Sequence, residues 1–366
     1  MLCLSIIIFF PIAEVYIYYT APHVDLMGLT GRRVGKNPMS SWALLDAFCA
    51  YRGRPGTYLG NLKKTVNSFG FISTPELTVE KPDNTLRIVF LGGSSTAGTG
   101  GRVLHDEISW PWQAIEMLRA GLPDRTIEFI NASLGGYSSF ESYGRLWSRI
   151  RFFSPDIIIV YHGWNEMYYF SRTATMVSWR TLKNGEWTFE RTTNPVVQYK
   201  PLAIDHIIHT SQLLSRIRLL FSQPLSGEVG LKKTAKEPAS TFDRRGLEIW
   251  RTNLRLLRQT AELLGAKLFV AKQATLIVPG LSEQEQKRCN YHLHGFGHEA
   301  HVDAFQAIYR VIDEEISPEF ILDTSVLSGQ PENFYDAVHP TQSGAHRIAS
   351  VVSQALTAYL KHQEDK

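Results

Sequence analysis

Ser94 ends the stretch Leu91-Gly92-Gly93-Ser94, directly after the apolar run Ile88-Val89-Phe90. Near the other end of the chain, Asp336 stands three residues before His339. A serine hydroxyl is a weak nucleophile at neutral pH and needs a base to take its proton. His339 can be that base through one ring nitrogen. Asp336 can hold the other nitrogen, fix the tautomer and stabilise the imidazolium. A gap of three within a turn lets the carboxylate reach back to the ring. An attacked carbonyl becomes an oxyanion, which needs donors aimed in advance. The backbone N–H groups of Ser94 and Gly136 and the side-chain amide of Asn165 suit that task. Gly136 permits close backbone approach, and Asn165 offers a neutral donor that does not titrate.

These residues can act together only if the fold gathers them on one rim, and the pattern of elements predicts this. Leu86–Leu91 reads as a fully buried strand, a short apolar run without alternation. Pro111 opens a helix through Leu118, which Gly121 ends. Thr126–Ile130 is a second strand. Ser138 and Glu141 form a capping-box signature for a helix reaching Ile150. Ile157–Tyr161 is a third strand, Lys267–Ala271 a fourth and Phe320–Leu322 a fifth. A helix over Leu247–Leu264 stops at Gly265, another carries Phe305, Ile308 and Ile312, and a last one follows Thr341. Strands alternating with helices predict a parallel sheet covered on both faces. Ligands of such sheets bind at the carboxyl ends of the strands. Ser94, the Asn131–Gly136 turn, Asn165 and the Asp336/His339 turn each follow a strand, so all four share that edge.

Three motifs have the form of other kinds of site. Gly93 and Gly98 have the spacing of a phosphate-binding loop, but Thr99 stands where that loop requires lysine. Asn131-Ala132-Ser133 has the form of a glycosylation sequon but abuts a buried strand. His292, His294, His298 and His301 cluster in sequence, and His294 and His298 are one helical turn apart, a spacing that can bind zinc. A polar loop running into a helix explains them equally well, and no metal is expected.

Composition is that of a globular protein, 44% apolar and 20% charged over 366 residues. Net charge is +3 with the two signs interspersed, which argues against a nucleic-acid partner. Cys3, Cys49 and Cys289 form neither a disulfide framework nor a zinc pattern, and a Cys49–Cys289 pair is left open. Leu2 to Tyr19 is nearly all apolar, interrupted by Pro11 and Glu14. It approaches the roughly 20 residues that span a bilayer, and no small-residue cleavage site follows it. An uncleaved membrane anchor is therefore expected. Arg32, Arg33 and Lys36 after it bear on orientation, but long domains can be translocated regardless.

The ordered blocks resemble the SGNH (GDSL-type) hydrolase family over about residues 86–360, excluding an insertion. The block I serine matches Ser94, the block II glycine Gly136 and the block III asparagine Asn165. The block V Asp-x-x-His matches Asp336-Ala337-Val338-His339, with Pro340 following. The resemblance implies a three-layer α/β/α flavodoxin-like fold with a parallel five-stranded sheet, and ester hydrolysis through an acyl-enzyme. Gly93 departs from the family, which usually has aspartate before the serine. The apolar N-terminus and the lead-in Asn67-Ser68-Phe69-Gly70-Phe71 are similar to membrane-tethered bacterial members.

The expected organisation is a membrane segment at 1–20, an irregular lead-in at 21–80 and a hydrolase domain at 81–366. An insertion after the third strand, at 171–245, is expected to lie over the site. The expected function is a serine esterase with Ser94, His339 and Asp336 as triad and Ser94, Gly136 and Asn165 as oxyanion hole. It would act on O-acyl or O-acetyl groups of carbohydrate or on small acyl esters, without metal or organic cofactor. The catalytic domain is expected outside the cytoplasm, in the periplasm. The same triad could instead pass the acyl group to a sugar. A third reading is a non-catalytic carbohydrate-binding or scaffold protein, for which Gly93 is the support.

Overall fold

The computed structural model of the protein describes residues 2–20, 43–46, 48–56, 58–59, 64–99, 105–170, 181–183, 186–188, 203–220 and 238–364. The chain divides into two compact units, one of Met1–Arg54 with Asn194–Lys236 and one of Pro55–Thr193 with Glu237–Lys366.

The second unit is an α/β fold built on a five-stranded parallel sheet. Its strands are β1 (Thr85–Gly92), β2 (Thr126–Asn131), β3 (Ile157–His162), β4 (Lys267–Lys272) and β5 (Ile321–Leu322). They lie in the order β2-β1-β3-β4-β5, every neighbouring pair parallel. That is the flavodoxin-like order, whose switch point falls between β1 and β3. Helices α1 (Ser94–Ala97), α2 (Trp110–Gly121), α3 (Ser139–Ser148), α4 (Arg245–Leu263), α5 (His298–Glu315) and α6 (Gln342–Glu364) connect or follow the strands.

Alternation along the buried strands sorts the core into two layers. Ile88 and Phe90 of β1, with Ile157 and Ile159 of β3, pack with Trp110 and Leu118 of α2 and Ile348 and Val352 of α6. Val89 and Leu91, with Ile158 and Val160, pack with Leu146 of α3, Trp250 and Leu254 of α4 and Ile308 of α5. Apolar residues on both strand faces explain the absence of polar alternation in the sequence. The fully buried Arg87 on β1 is satisfied by Glu128 and by the carbonyls of Phe153, Val79 and Thr78. Helix α3 opens with the capping box expected from Ser138 and Glu141. It ends at Ser148, two residues early, and a short 3-10 turn over Ile150–Phe153 follows.

The other unit holds the helix Leu2–Thr20, an antiparallel hairpin of Ala43–Asp46 and Ala50–Gly53, and the helices Ala203–Ile208 and Gln212–Leu220. The expected membrane anchor gains no support here. Among the described residues, no helix is long and apolar enough to cross a membrane. The N-terminal helix contains Pro11 and places Glu14 at the start of another helix. The Glu14 carboxylate accepts from the N–H groups of Gln212 (2.6 Å) and Leu213 (2.8 Å) and from the Ser211 hydroxyl (2.8 Å). An anion there complements the positive end of the helix dipole. Burial acts to raise the Glu14 pKa, but these hydrogen bonds prevail and hold it below the ordinary value. Phe9, Ile12, Val15 and Tyr16 are exposed.

Of the expected insertion at 171–245, residues 171–180, 184–185, 189–202 and 221–237 lie outside the described residues, as does much of the lead-in between 21 and 63. Cys49 and Cys289 are not bridged to each other.

Candidate active site

Strand β1 delivers Ser94 to the carboxyl edge of the sheet, where Gly93 caps the four-residue helix α1. The Ser94 Oγ lies 2.7 Å from His339 Nε2, although the two residues are 245 apart in sequence. His339 Nδ1 lies 2.7 Å from Asp336 Oδ2. The other Asp336 oxygen accepts from the N–H groups of Val338 (3.0 Å) and His339 (2.9 Å). This local turn is why a gap of three suffices. Burial acts to raise the Asp336 pKa, but the hydrogen bonds it accepts from the His339 ring and from the N–H groups of Val338 and His339 outweigh it, leaving the carboxyl below its ordinary value. An ionised Asp336 accepts on both oxygens, so His339 Nδ1 carries the proton and Nε2 is left to accept from Ser94. The adjacent Ser95 is oriented elsewhere, its hydroxyl donating to the Val338 carbonyl at 3.1 Å.

The other two expected site residues, Gly136 and Asn165, lie on segments that approach the Gly93–Ser94 turn. As the first residue of α1, Ser94 presents an N–H with no partner inside the helix. Neither this N–H nor that of Gly136 enters a backbone hydrogen bond among the described residues. Gly136 has φ +81°, a conformation that favours glycine. Its neighbour Gly135 is close enough that a Cβ there would be 3.8 Å from the Cβ of Ser94. Asn165 is buried and donates through Nδ2 to the Tyr137 carbonyl at 2.7 Å, which leaves one amide hydrogen for another acceptor. A cavity beside Ser94 is lined by Gly93, Trp164 and Asn165, among others.

Gly93 now has a steric explanation. Its φ of −91° is open to any residue, but a Cβ there would lie 2.5 Å from Asn165 Nδ2 and 3.1 Å from the Tyr137 carbonyl oxygen. The missing side chain makes room for the amide against the nucleophile turn.

Behind this surface is a buried polar layer that the sequence did not reveal. Glu166, fully buried, accepts from the Ser139 N–H and hydroxyl, both at 2.7 Å. It therefore ties the segment carrying Asn165 to the one carrying Gly136. Burial pushes the Glu166 carboxyl up to about 8, against the opposing effect of those hydrogen bonds. His162 contacts the Ser142 hydroxyl through Nε2 at 2.8 Å, and burial lowers it to about 3, so it stays neutral. Asn131, of the sequon, is also buried and donates to the Thr96 carbonyl at 3.3 Å.

The phosphate-loop spacing dissolves in the structure. Gly98, at φ +64°, ends α1 after one turn instead of leading into a long helix. The histidine spacing also resolves differently. Helix α5 begins at His298, so His294 precedes it and the two are not on one helical face. His294 Nδ1 instead meets His301 Nε2 at 3.0 Å, and both rings pack on Trp164. Among the described residues, no group of three or more His, Cys, Asp or Glu side chains is arranged to hold a metal ion.

No protein-family profile matches the chain, and no curated protein matches it in sequence. Solved structures of similar fold include Axe2, an acetylxylan esterase from Geobacillus stearothermophilus. It is 12% identical, with 74% of this chain and 94% of that one covered at a TM-score of 0.41. LAE5, an α/β hydrolase from the metagenome of Lake Arreo, is 14% identical with 75% and 95% covered and a TM-score of 0.40. A candidate GDSL-like lipase from Parabacteroides merdae is 11% identical with 76% and 98% covered and a TM-score of 0.40.

Proposed function

We propose that the protein is a serine esterase that cleaves carboxylic esters through a covalent acyl-enzyme. The observation that carries this reading is the continuous relay from Ser94 Oγ to His339 to Asp336, with 2.7 Å at each link. In this reading Ser94 Oγ attacks the ester carbonyl while its proton passes to His339 Nε2. Asp336 holds the ring and stabilises the imidazolium. The tetrahedral oxyanion accepts from the N–H groups of Ser94 and Gly136 and from the Asn165 amide. Collapse breaks the ester C–O bond, and His339 returns its proton to the departing alcohol. Water, deprotonated by His339, then attacks the acyl-enzyme, releases the acid and restores Ser94.

The substrate class is proposed to be O-acyl or O-acetyl groups on carbohydrate, with small acyl esters as surrogates. Gly93 supports a working site over a decayed one, because its missing side chain accommodates Asn165. The test is turnover of p-nitrophenyl acetate and of an acetylated oligosaccharide. Ser94→Ala and His339→Ala are each expected to lower kcat by about a thousandfold or more, since triad members act as a unit. Undiminished turnover in Ser94→Ala would rule the reading out. Product analysis with a sugar acceptor separates hydrolysis from transfer: free acid alone is expected here.

A further inference from the structure

We infer that Gln273 is a positioning residue that holds three catalytic loops in register through one directed chain of hydrogen bonds. The inference rests on the esterase reading above. Gln273 follows the last residue of β4 and is buried. Its side-chain carbonyl accepts from the Trp164 N–H at 2.7 Å, and its amide nitrogen lies 3.3 Å from Ser95 Oγ. Ser95 Oγ in turn lies 3.1 Å from the Val338 carbonyl oxygen.

The direction of the chain follows from the chemistry of its ends. A backbone N–H can only donate, so the Gln273 oxygen must face Trp164 and its NH₂ must face Ser95. A backbone carbonyl can only accept, so the Ser95 proton must point at Val338. Each residue reached is the immediate neighbour of a proposed catalytic group. Ser95 adjoins Ser94, Trp164 adjoins Asn165 and Val338 adjoins His339. Two further features fit this role. A Cβ on Gly163 would lie 2.8 Å from the Gln273 side-chain oxygen, so a glycine keeps that space open. The Tyr309 hydroxyl donates to the Gln273 backbone carbonyl and anchors the residue itself.

At this length an amide accepts at one end and donates at the other whatever the pH. Glutamate would keep the bond from Trp164 but attract the Ser95 proton away from Val338. Methionine has similar length and makes neither bond well. Gln273→Glu and Gln273→Met are therefore expected to lower kcat by about tenfold to a hundredfold, as small misplacements of catalytic groups do. KM is expected to stay within about twofold, because substrate binding is not the property being disturbed. Ser95→Ala breaks the same chain, so adding it to Gln273→Met is expected to lower kcat no further than the worse single variant.

A kcat close to that of the wild type in both Gln273 variants overturns the inference. So does a rise in KM with kcat unchanged, which would make Gln273 a substrate contact, and so do losses that multiply in the double variant. If methionine prevents folding, the glutamate variant and Ser95→Ala decide it. Ser94→Ala distinguishes the two levels. An inactive Ser94→Ala with fully active Gln273 variants removes only this inference, whereas an active Ser94→Ala removes the esterase reading with it.

Discussion

The space at position 93 is what lets the Asn165 amide approach the nucleophile turn, and it can be filled by one carbon. A Cβ there would lie 2.5 Å from Asn165 Nδ2, so Gly93→Ala must displace the amide. Loss of one oxyanion donor costs about a hundredfold to a thousandfold in kcat. Gly93→Ala is expected to fall to the level of Asn165→Ala, and the double variant to fall no further. Full activity in Gly93→Ala would show that Asn165 does not donate to the oxyanion. At this scale Ser94, Asp336 and His339 were legible because each is a reactive residue type in a turn after a strand. The distinction between Ser94 and Ser95 is now geometric: one hydroxyl meets His339 and the other meets the Val338 carbonyl. Gln273 was not legible. An isolated glutamine after a strand carries no local signal, and its partner Trp164 is 109 residues away.

The first turn of α3 is the element that gathers the oxyanion side of the site. Its capping box was readable because Ser138 and Glu141 are three residues apart. The second carboxyl on the same turn, Glu166, was not, because 27 residues separate it from Ser139. Ser138→Ala is expected to destabilise the protein by about 1 kcal/mol, the usual worth of an N-cap, measured by urea unfolding. The buried groups behind the turn give stability a pH dependence with a defined sign. Glu166 is raised from 4.5 to about 8, so the unfolded chain loses this proton first. Its contribution is present at low pH and is lost as pH rises between those values. His162 is lowered from 6.5 to about 3, so its contribution is present above 6.5 and is lost as pH falls towards 3. Unfolding free energies measured across pH should lose the alkaline slope in Glu166→Gln and the acid slope in His162→Gln. Slopes unchanged in both variants would contradict the assignment.

Across the whole molecule, apolar strand runs alternating with helical periods were enough to anticipate a parallel sheet. Strand β5, with only two residues, was still found from its apolar run near Phe320–Leu322. The strand order was implied by family resemblance and by nothing local, since edge pairing leaves no periodic trace. The packing of the N-terminal run was hidden for a related reason. Its apolarity suggested an anchor, while the partners of Glu14 lie nearly 200 residues away, at Ser211–Leu213. The proposed chemistry likewise depends on long-range folding, because Ser94 meets its base only when the sheet is assembled. The most direct measurement is to react the native protein with a fluorophosphonate and map the adduct by peptide mass spectrometry. The account predicts a single adduct on Ser94, absent from His339→Ala and from protein unfolded in urea. An adduct on Ser95, or labelling that persists equally in Ser94→Ala, would contradict it.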